Sequence, residues 1–406
     1  MHSLKKHSVL ALGYFLLIAL LGLALRLFPV VELSFDYRYM VHTHSHVALL
    51  GWTYTALTTM IYKAYLGKAS IQSKYRVLFW CTQVTIIGML LTFPFTGYAL
   101  FSIIFSTLFL FASYVFMWVF VRHTSKEQKK TPAYKCIYVS LWYMVLSSLG
   151  PWALGAIMNT AGSGSDLYRN AIYFYLHFQY NGWFIMALLG LLLYFLEQKE
   201  IALPRFAFTQ FFWTMNLGVV TTFCISLLWM NPINSIYVIS ILGSVLQLFA
   251  FSILVKHVLP FQKEIKRMSK LFHLSLKIAA IFFLVKLLMQ LLGSIPYFAS
   301  RISSNIDLVI GYLHWIFLGV VSVTVLSFLF HSKIIRLTSR SMVLYFLGFM
   351  LTEGLIFYKG TMVWFKEPVI QHYPWLLVLA TGILAFAIGN ILVLQLRRKD
   401  ISESAF

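Results

Sequence analysis

The chain has 406 residues, of which 60% are hydrophobic and only 11% are charged. This composition excludes a water-soluble globular fold, because too few polar side chains are available to cover the exterior. The formal net charge of +20 does not indicate a nucleic-acid partner, because the basic residues alternate between loops and are not gathered on one face. We therefore predict an integral membrane protein surrounded by the lipid bilayer, with no nucleic-acid partner.

Apolar runs of about 20 residues are long enough to cross a bilayer as helices. Such runs follow one another along the whole chain, and no linker or soluble domain separates them. The sequence therefore predicts an all-α integral membrane protein with a single membrane domain of about twelve transmembrane helices. The predicted spans lie near 8–30, 43–66, 75–97, 99–121, 136–158, 170–196, 207–230, 233–256, 271–293, 306–330, 341–358 and 374–396.

The basic residues predict the orientation of these helices. Most of the 32 Lys and Arg residues lie in alternate segments, and the intervening turns hold few. Because basic loops stay on the cytoplasmic side of a membrane, both termini are expected in the cytoplasm. The basic segments are 1–7, 63–76, 122–135, 197–206, 256–270, 331–342 and 397–399.

The twelve histidines fall into two classes. Seven lie at cytoplasmic ends or in loops, and we expect them to be exposed to solvent. The other five lie within the outer parts of predicted spans, where a polar side chain is costly and therefore a candidate for function. The seven are His2, His7, His123, His257, His273, His331 and His372, and the five are His42, His44, His46, His177 and His314.

An internal repeat carries three of the five. His46, His177 and His314 are each followed five residues later by a glycine, and they recur on every fourth predicted helix. The sequence thus predicts three diverged four-helix units, approximately 1–122, 123–257 and 258–396, followed by a cytoplasmic tail, 397–406. Each unit presents one histidine from its second helix, about 10 Å into the membrane. The glycines, Gly51, Gly182 and Gly319, are expected to permit close helix contact.

Helical geometry limits which histidines can share a site. His42 and His46 lie about 40° apart around a helix, whereas His44 lies about 200° from His46 and needs a different partner. Neutral imidazole ligates haem iron, copper or zinc, and two imidazoles on facing helices can hold a six-coordinate haem. If the three helices are neighbours, His46, His177 and His314 could instead form one metal site.

Four arginines lie at the outer ends of predicted spans, where they could pair with haem propionates. They are Arg26, Arg38, Arg169 and Arg301.

Twelve helices with histidines on helices two, six and ten resemble the catalytic subunit of haem-copper oxidases and nitric oxide reductases. The resemblance covers the whole chain by topology and three segments by motif, "HSHVALLGW", "YLHFQYNGW" and "YLHWIFLGV". It implies an oxidoreductase of the respiratory chain that binds haem b, transfers electrons and could act on O2 or NO. It also implies His46, or alternatively His44, as the partner of His314 on one low-spin haem. The implied partners are other respiratory subunits or a cytochrome or quinol donor, in the plasma (inner) membrane of a bacterium.

The chain departs from the family pattern at two places. The family's ligand to the high-spin haem corresponds to Tyr312 in this sequence. His177 matches the helix-six copper ligand, but 207–230 contains no histidine, so the copper pair of helix seven is missing. The resemblance therefore leaves copper open and makes complete reduction of oxygen doubtful.

Two charged residues, Lys286 and Glu353, also fall inside predicted spans. They could form an ion pair with each other, or they could relay protons toward the histidines with the help of Gln179, Asn181 or Asn216. Two other functions stay open at this point. One is a haem-free copper or zinc protein, and the other is a transporter-like protein, although transporters usually contain paired repeats and not three.

Overall fold

The computed structural model describes residues 2–67 and 69–397, and these residues are predominantly helical, without a β-strand. The predicted all-α class is confirmed. Eleven helices within the described residues are long and apolar enough to cross a membrane. The predicted tail, 397–406, lies outside the described residues beyond Arg397.

Twelve long helices, numbered here in chain order, organise the described residues, and a short helix, Pro296–Ser303, precedes α10. They are α1 (His2–Leu27), α2 (37–66), α3 (Gln72–Thr96), α4 (Leu100–His123), α5 (Pro132–Thr160), α6 (Asp166–Glu197), α7 (Arg205–Met230), α8 (Asn234–Met268), α9 (Lys270–Gly293), α10 (Ile306–His331), α11 (Ser339–Phe365) and α12 (Tyr373–Leu396).

Helix α2 is the one that lacks the composition of a lipid-facing span. It carries three histidines together with several threonines and tyrosines, which lower its mean hydropathy. From Val47 to Leu66 only Ala48, Lys63 and Ala64 are not fully buried. Protein and not lipid therefore surrounds this part of α2, which removes the need for an apolar surface.

The three helices that carry the repeated histidines are also those most enclosed by the rest of the protein. The most apolar stretch of α6 is 83% buried and that of α10 is 67% buried, whereas the corresponding stretches of the other candidate spans reach at most 50%. The three helices contact one another through polar and aromatic side chains. These contacts are Trp52 Nε1 to Ser322 Oγ at 2.8 Å, Tyr54 to Trp183, and Phe184 to Phe317.

Each repeated histidine is followed at once by a π-helical segment, a wider turn that is often found at functional sites. The segments are Val47–Tyr54, Phe178–Phe184 and Trp315–Ser322. The glycine within each segment lies against an aromatic ring of a neighbouring helix. A Cβ atom would lie 3.0 Å from Tyr14 at Gly51, 2.5 Å from Tyr143 at Gly182, and 2.9 Å from Phe349 at Gly319. The predicted role of these glycines in close helix packing is confirmed.

His7 was expected to be exposed to solvent, and this expectation is wrong. Its side chain is only 2% exposed, and its ring stacks on Phe79 with 3.5 Å between the ring centroids. The imidazole is enclosed because α1 and α3 pack together at this end of the protein.

Helices α11 and α12 touch closely at Gly348, where a Cβ atom would lie 2.7 Å from backbone atoms of Leu384. We expect Gly348→Ala to destabilise the protein by about 1–3 kcal/mol, because the backbones would have to separate. Gly382→Ala on α12 is the matched control, since a Cβ atom there meets nothing within 4 Å and alanine favours the helix. Thermal unfolding in detergent should show a lower midpoint for Gly348→Ala only, and equal midpoints would contradict this packing.

Candidate functional site

The three histidines in the first part of α2 face two different directions. His42 and His46 share one side, where the His42 ring lies 4.7 Å from Tyr98 and the His46 ring lies 4.4 Å from Phe93. His46 Nδ1 donates to the carbonyl of His42 at 2.8 Å, and its Nε2 lies 3.5 Å from the Tyr98 hydroxyl. The prediction that His42 and His46 share a face and His44 does not is confirmed.

His44 packs against α1. Its Nδ1 lies 3.1 Å from the carbonyl oxygen of Ile18, and a Cβ atom at Gly22 would lie 3.2 Å from its Cε1. A carbonyl oxygen only accepts hydrogen bonds, so Nδ1 carries the proton and Nε2 keeps its lone pair. This is the tautomer of a histidine that binds a metal through Nε2 while the other nitrogen is held by the protein.

A buried carboxylate lies beside His314 on α10. His314 Nδ1 lies 3.3 Å from Oε1 of Glu353, a residue of α11 that is 1% exposed. The two atoms are at ion-pair distance but lack the geometry of a hydrogen bond. Arg26 lies within electrostatic range of both Glu353 and His44. Two imidazoles and a buried carboxylate therefore come together where α1, α2, α10 and α11 adjoin, with the Arg26 guanidinium within electrostatic range.

The imidazoles of His44 and His314 stand 6.4 Å apart, measured between ring centroids. A metal bonded to one nitrogen of each of two imidazoles, at about 2.0–2.1 Å, holds the ring centroids about 6 Å apart. The spacing therefore suits one metal atom between the two rings. His46 was preferred over His44 as the partner of His314, but the structure brings His44 to this position and turns His46 toward α3.

His177 belongs to a separate polar cluster between α6, α7 and α9. The Lys286 ammonium donates to Asn181 Oδ1 and to Gln290 Oε1, both at 2.6 Å. Because Asn181 presents its oxygen to Lys286, its Nδ2 faces His177 Nδ1, at 3.2 Å. His177 Nδ1 accepts that bond, and Nε2 donates to the carbonyl of Val219 at 2.8 Å. Both ring nitrogens of His177 are thus engaged by the protein.

The expected ion pair between Lys286 and Glu353 is wrong. Lys286 is held by amide oxygens on α6, α8 and α9, whereas Glu353 lies beside His314. The two charges therefore belong to different clusters, and their positions in the sequence do not reveal this.

Of the three amide side chains predicted to assist a proton relay, only one belongs to the Lys286 cluster. Asn181 bonds Lys286, whereas Gln179 donates to Ser147 and Asn216 accepts from Tyr143.

His46, His177 and His314 have different neighbours: Phe93 lies beside His46, Val219 beside His177 and Glu353 beside His314. Within residues 2–67 and 69–397, no group of three or more His, Cys, Asp or Glu side chains is close enough to hold a metal ion.

The four arginines differ in their distance from the histidine pair. Arg38 lies within electrostatic range of His42. Arg301 sits over the Tyr297 ring at 6.0 Å, and Arg169 sits over Trp229 at 4.0 Å. Of the four, Arg26 is therefore the one associated with His44 and Glu353.

Sequence reasoning missed two glutamines that complete the lysine cluster. Gln290 lies four residues after Lys286 on α9, a spacing that puts two side chains on one helix face and could have revealed the pair. Gln247 comes from α8, with its Oε1 3.5 Å from the ammonium, and no local pattern connects it to Lys286.

Comparison with protein-family models gives no match to this chain, and comparison with curated proteins gives none either.

We expect Lys286 and Gln290 to be energetically coupled, because Gln290→Leu leaves a buried ammonium short of an acceptor only while Lys286 is present. A double-mutant cycle with Lys286→Met, measured by unfolding in detergent, should give a coupling energy of about 0.5 kcal/mol or more. Gln83→Leu, at a buried glutamine on α3, should be additive with Lys286→Met. Additivity in both cycles would contradict the cluster.

Proposed function

We propose that this protein binds one low-spin haem b between His44 and His314 and transfers electrons within the membrane, in the manner of the haem-copper oxidase and nitric oxide reductase catalytic subunits that it resembles. The observation that carries the proposal is the 6.4 Å spacing of the two imidazoles. That spacing suits bis-imidazole ligation of one iron atom.

The surroundings of the two rings support the same proposal. The Ile18 carbonyl holds Nδ1 of His44, which leaves Nε2 of that ring available as a ligand. The Glu353 carboxylate lies 3.3 Å from Nδ1 of His314 and favours the protonated form of that nitrogen. Arg26 supplies a guanidinium for a propionate. When bound, haem supplies one-electron redox chemistry that no side chain of this cluster provides. Glu353 is the residue best situated to accept or release a proton when the charge at this pair changes.

Copper and chemistry on O2 or NO remain a secondary part of the proposal. His177 could act as a copper ligand only if one of its ring nitrogens lost its hydrogen bond. Those bonds join His177 Nδ1 to Asn181 and His177 Nε2 to Val219. The Lys286 ammonium, which donates to the Asn181 side chain beside His177, would also repel a copper ion there. We therefore favour electron transfer over complete reduction of oxygen as the activity.

The proposal also covers the number, the grouping and the orientation of the helices. We propose twelve spans in three four-helix units, with both termini in the cytoplasm of a bacterium and the protein in its inner membrane. The repetition of a π-helical segment after each repeated histidine supports the three units. Contacts between basic loops support a common cytoplasmic end. These contacts are Lys63 with the Ser332 carbonyl, Gln128 with the Ala64 carbonyl, and the Ala133 amide with Glu197. Respiratory subunits, or a cytochrome or quinol donor, would be its partners.

Replacing either ligand should remove the low-spin haem. We expect His44→Ala and His314→Ala to lose the b-type bands in reduced-minus-oxidised spectra of purified protein, and His46→Ala to keep them. Loss in His46→Ala together with retention in His44→Ala would contradict this ligand pair. A wild-type protein that contains copper or zinc but no haem iron would overturn the haem proposal itself.

A change that leaves both ligands in place tests the same geometry without removing an imidazole. Gly22→Val should push the His44 ring away from α1 and shift or weaken the haem bands, because even a Cβ atom at this position lies 3.2 Å from the ring. Gly13→Val on the same helix meets nothing within 4 Å at its Cβ atom and should leave the spectrum unchanged. Identical spectra for the two variants would contradict the placement of His44.

A further inference from the structure

An apolar groove of about 200 Å³ lies between α6, α8, α9 and α10. Most of its wall consists of Leu, Val, Ala and Phe side chains, which offer water few hydrogen-bond partners. The groove follows α9 from His273 to Phe283, a distance of about 15 Å along the helix axis. One leaflet of a bilayer contains about the same thickness of hydrocarbon, half of the whole core. The groove therefore has the length and the chemistry of a site for one acyl chain.

The rim of this groove faces lipid. Leu259 on the α8 side is 54% exposed, and Lys277 on the α9 side is exposed as well. Ala279 and Ala280 line the groove on α9, and their small side chains leave room that a larger residue would occupy. An acyl chain can therefore enter the groove from the bilayer.

Lys277 is a cation that lacks an anionic partner. It lies about 10 Å along α9 from Lys270, the first residue of that helix. Within the part of the chain that the structure describes, its ammonium makes neither a hydrogen bond nor an ion pair. A charge at this depth on an exposed face is costly unless the side chain reaches the polar headgroups. A headgroup phosphate would give Lys277 both a counter-charge and hydrogen-bond acceptors.

The charges at this end of the groove favour an anionic headgroup over a neutral one. Lys266 and Lys277 both lie within electrostatic range of His273, which lines the groove. No Asp or Glu is among the described residues that line it, and Glu264 is the one acidic residue between 256 and 277. The basic residues of that stretch are Lys256, Lys263, Lys266, Arg267, Lys270 and Lys277. A basic pocket between transmembrane helices is typical of sites that bind anionic lipid headgroups.

We propose that this groove binds an anionic phospholipid, with one acyl chain packed along α8 and α9 and the headgroup phosphate beside Lys277 and Lys266. The proposal does not depend on haem at His44 and His314. It assigns Lys277 as the residue that selects the charge of the headgroup and Ala280 as a residue that leaves room for the chain.

Native mass spectrometry of the purified full-length protein in detergent tests the proposal, because it counts bound lipids and gives their affinities. Dioleoyl phosphatidylglycerol and dioleoyl phosphatidylcholine share their acyl chains and differ in headgroup charge. Wild type should bind phosphatidylglycerol at least about fivefold more tightly, and Lys277→Gln should lose about fivefold in that affinity only, as expected for one basic side chain. Lys74→Gln is the matched control, since it removes the same charge at an exposed lysine outside the groove. It should bind both lipids like wild type.

A second change tests where the acyl chain lies. Ala280→Phe should fill the groove and weaken the binding of both lipids, although every basic residue remains. Glycerol phosphate, a headgroup without acyl chains, should not displace bound phosphatidylglycerol. Equal affinities of wild type for the two lipids, or equal losses in Lys277→Gln and Lys74→Gln, would overturn the assignment of the headgroup. Unchanged binding in Ala280→Phe, or displacement by glycerol phosphate, would overturn the groove as the site of the chain.

Discussion

A membrane protein can place polar side chains at the depth of the lipid only where other protein surrounds them. Helix α2 carries His42, His44 and His46 together with several threonines, and its segment after the histidines is almost wholly buried. The enclosure of α2 by its neighbours is therefore the requirement on which the rest of the architecture depends. It explains why the histidine-bearing helices lie inward while the helices between them expose more apolar surface.

The enclosure also determines which atoms are available for chemistry. The Ile18 carbonyl holds Nδ1 of His44 and leaves its Nε2 uncommitted, and the Glu353 carboxylate lies 3.3 Å from Nδ1 of His314. The same kind of anchoring has the opposite result at His177, where the protein engages both ring nitrogens. Residues that look equivalent in the sequence repeat therefore differ in chemistry because of their neighbours.

Much of this could be predicted from sequence, because hydrophobic length and histidine position are local properties. The predicted helices and the shared face of His42 and His46 follow from periodicity alone. The choice of His44 over His46 opposite His314 could not be predicted, since it depends on the rotation of α2 against Gly22 of α1. The π-helical segments add to this difficulty, because a wider turn changes the angular register beyond each histidine.

The central claim is that His44 and His314 form a bis-imidazole pair that holds a low-spin haem. Electron paramagnetic resonance of the oxidised, purified protein at low temperature tests it most directly, because the signal reports the spin state and the axial ligands of ferric iron. We expect a rhombic low-spin ferric signal typical of two imidazole ligands. A high-spin ferric signal alone, or no haem iron signal, would contradict it.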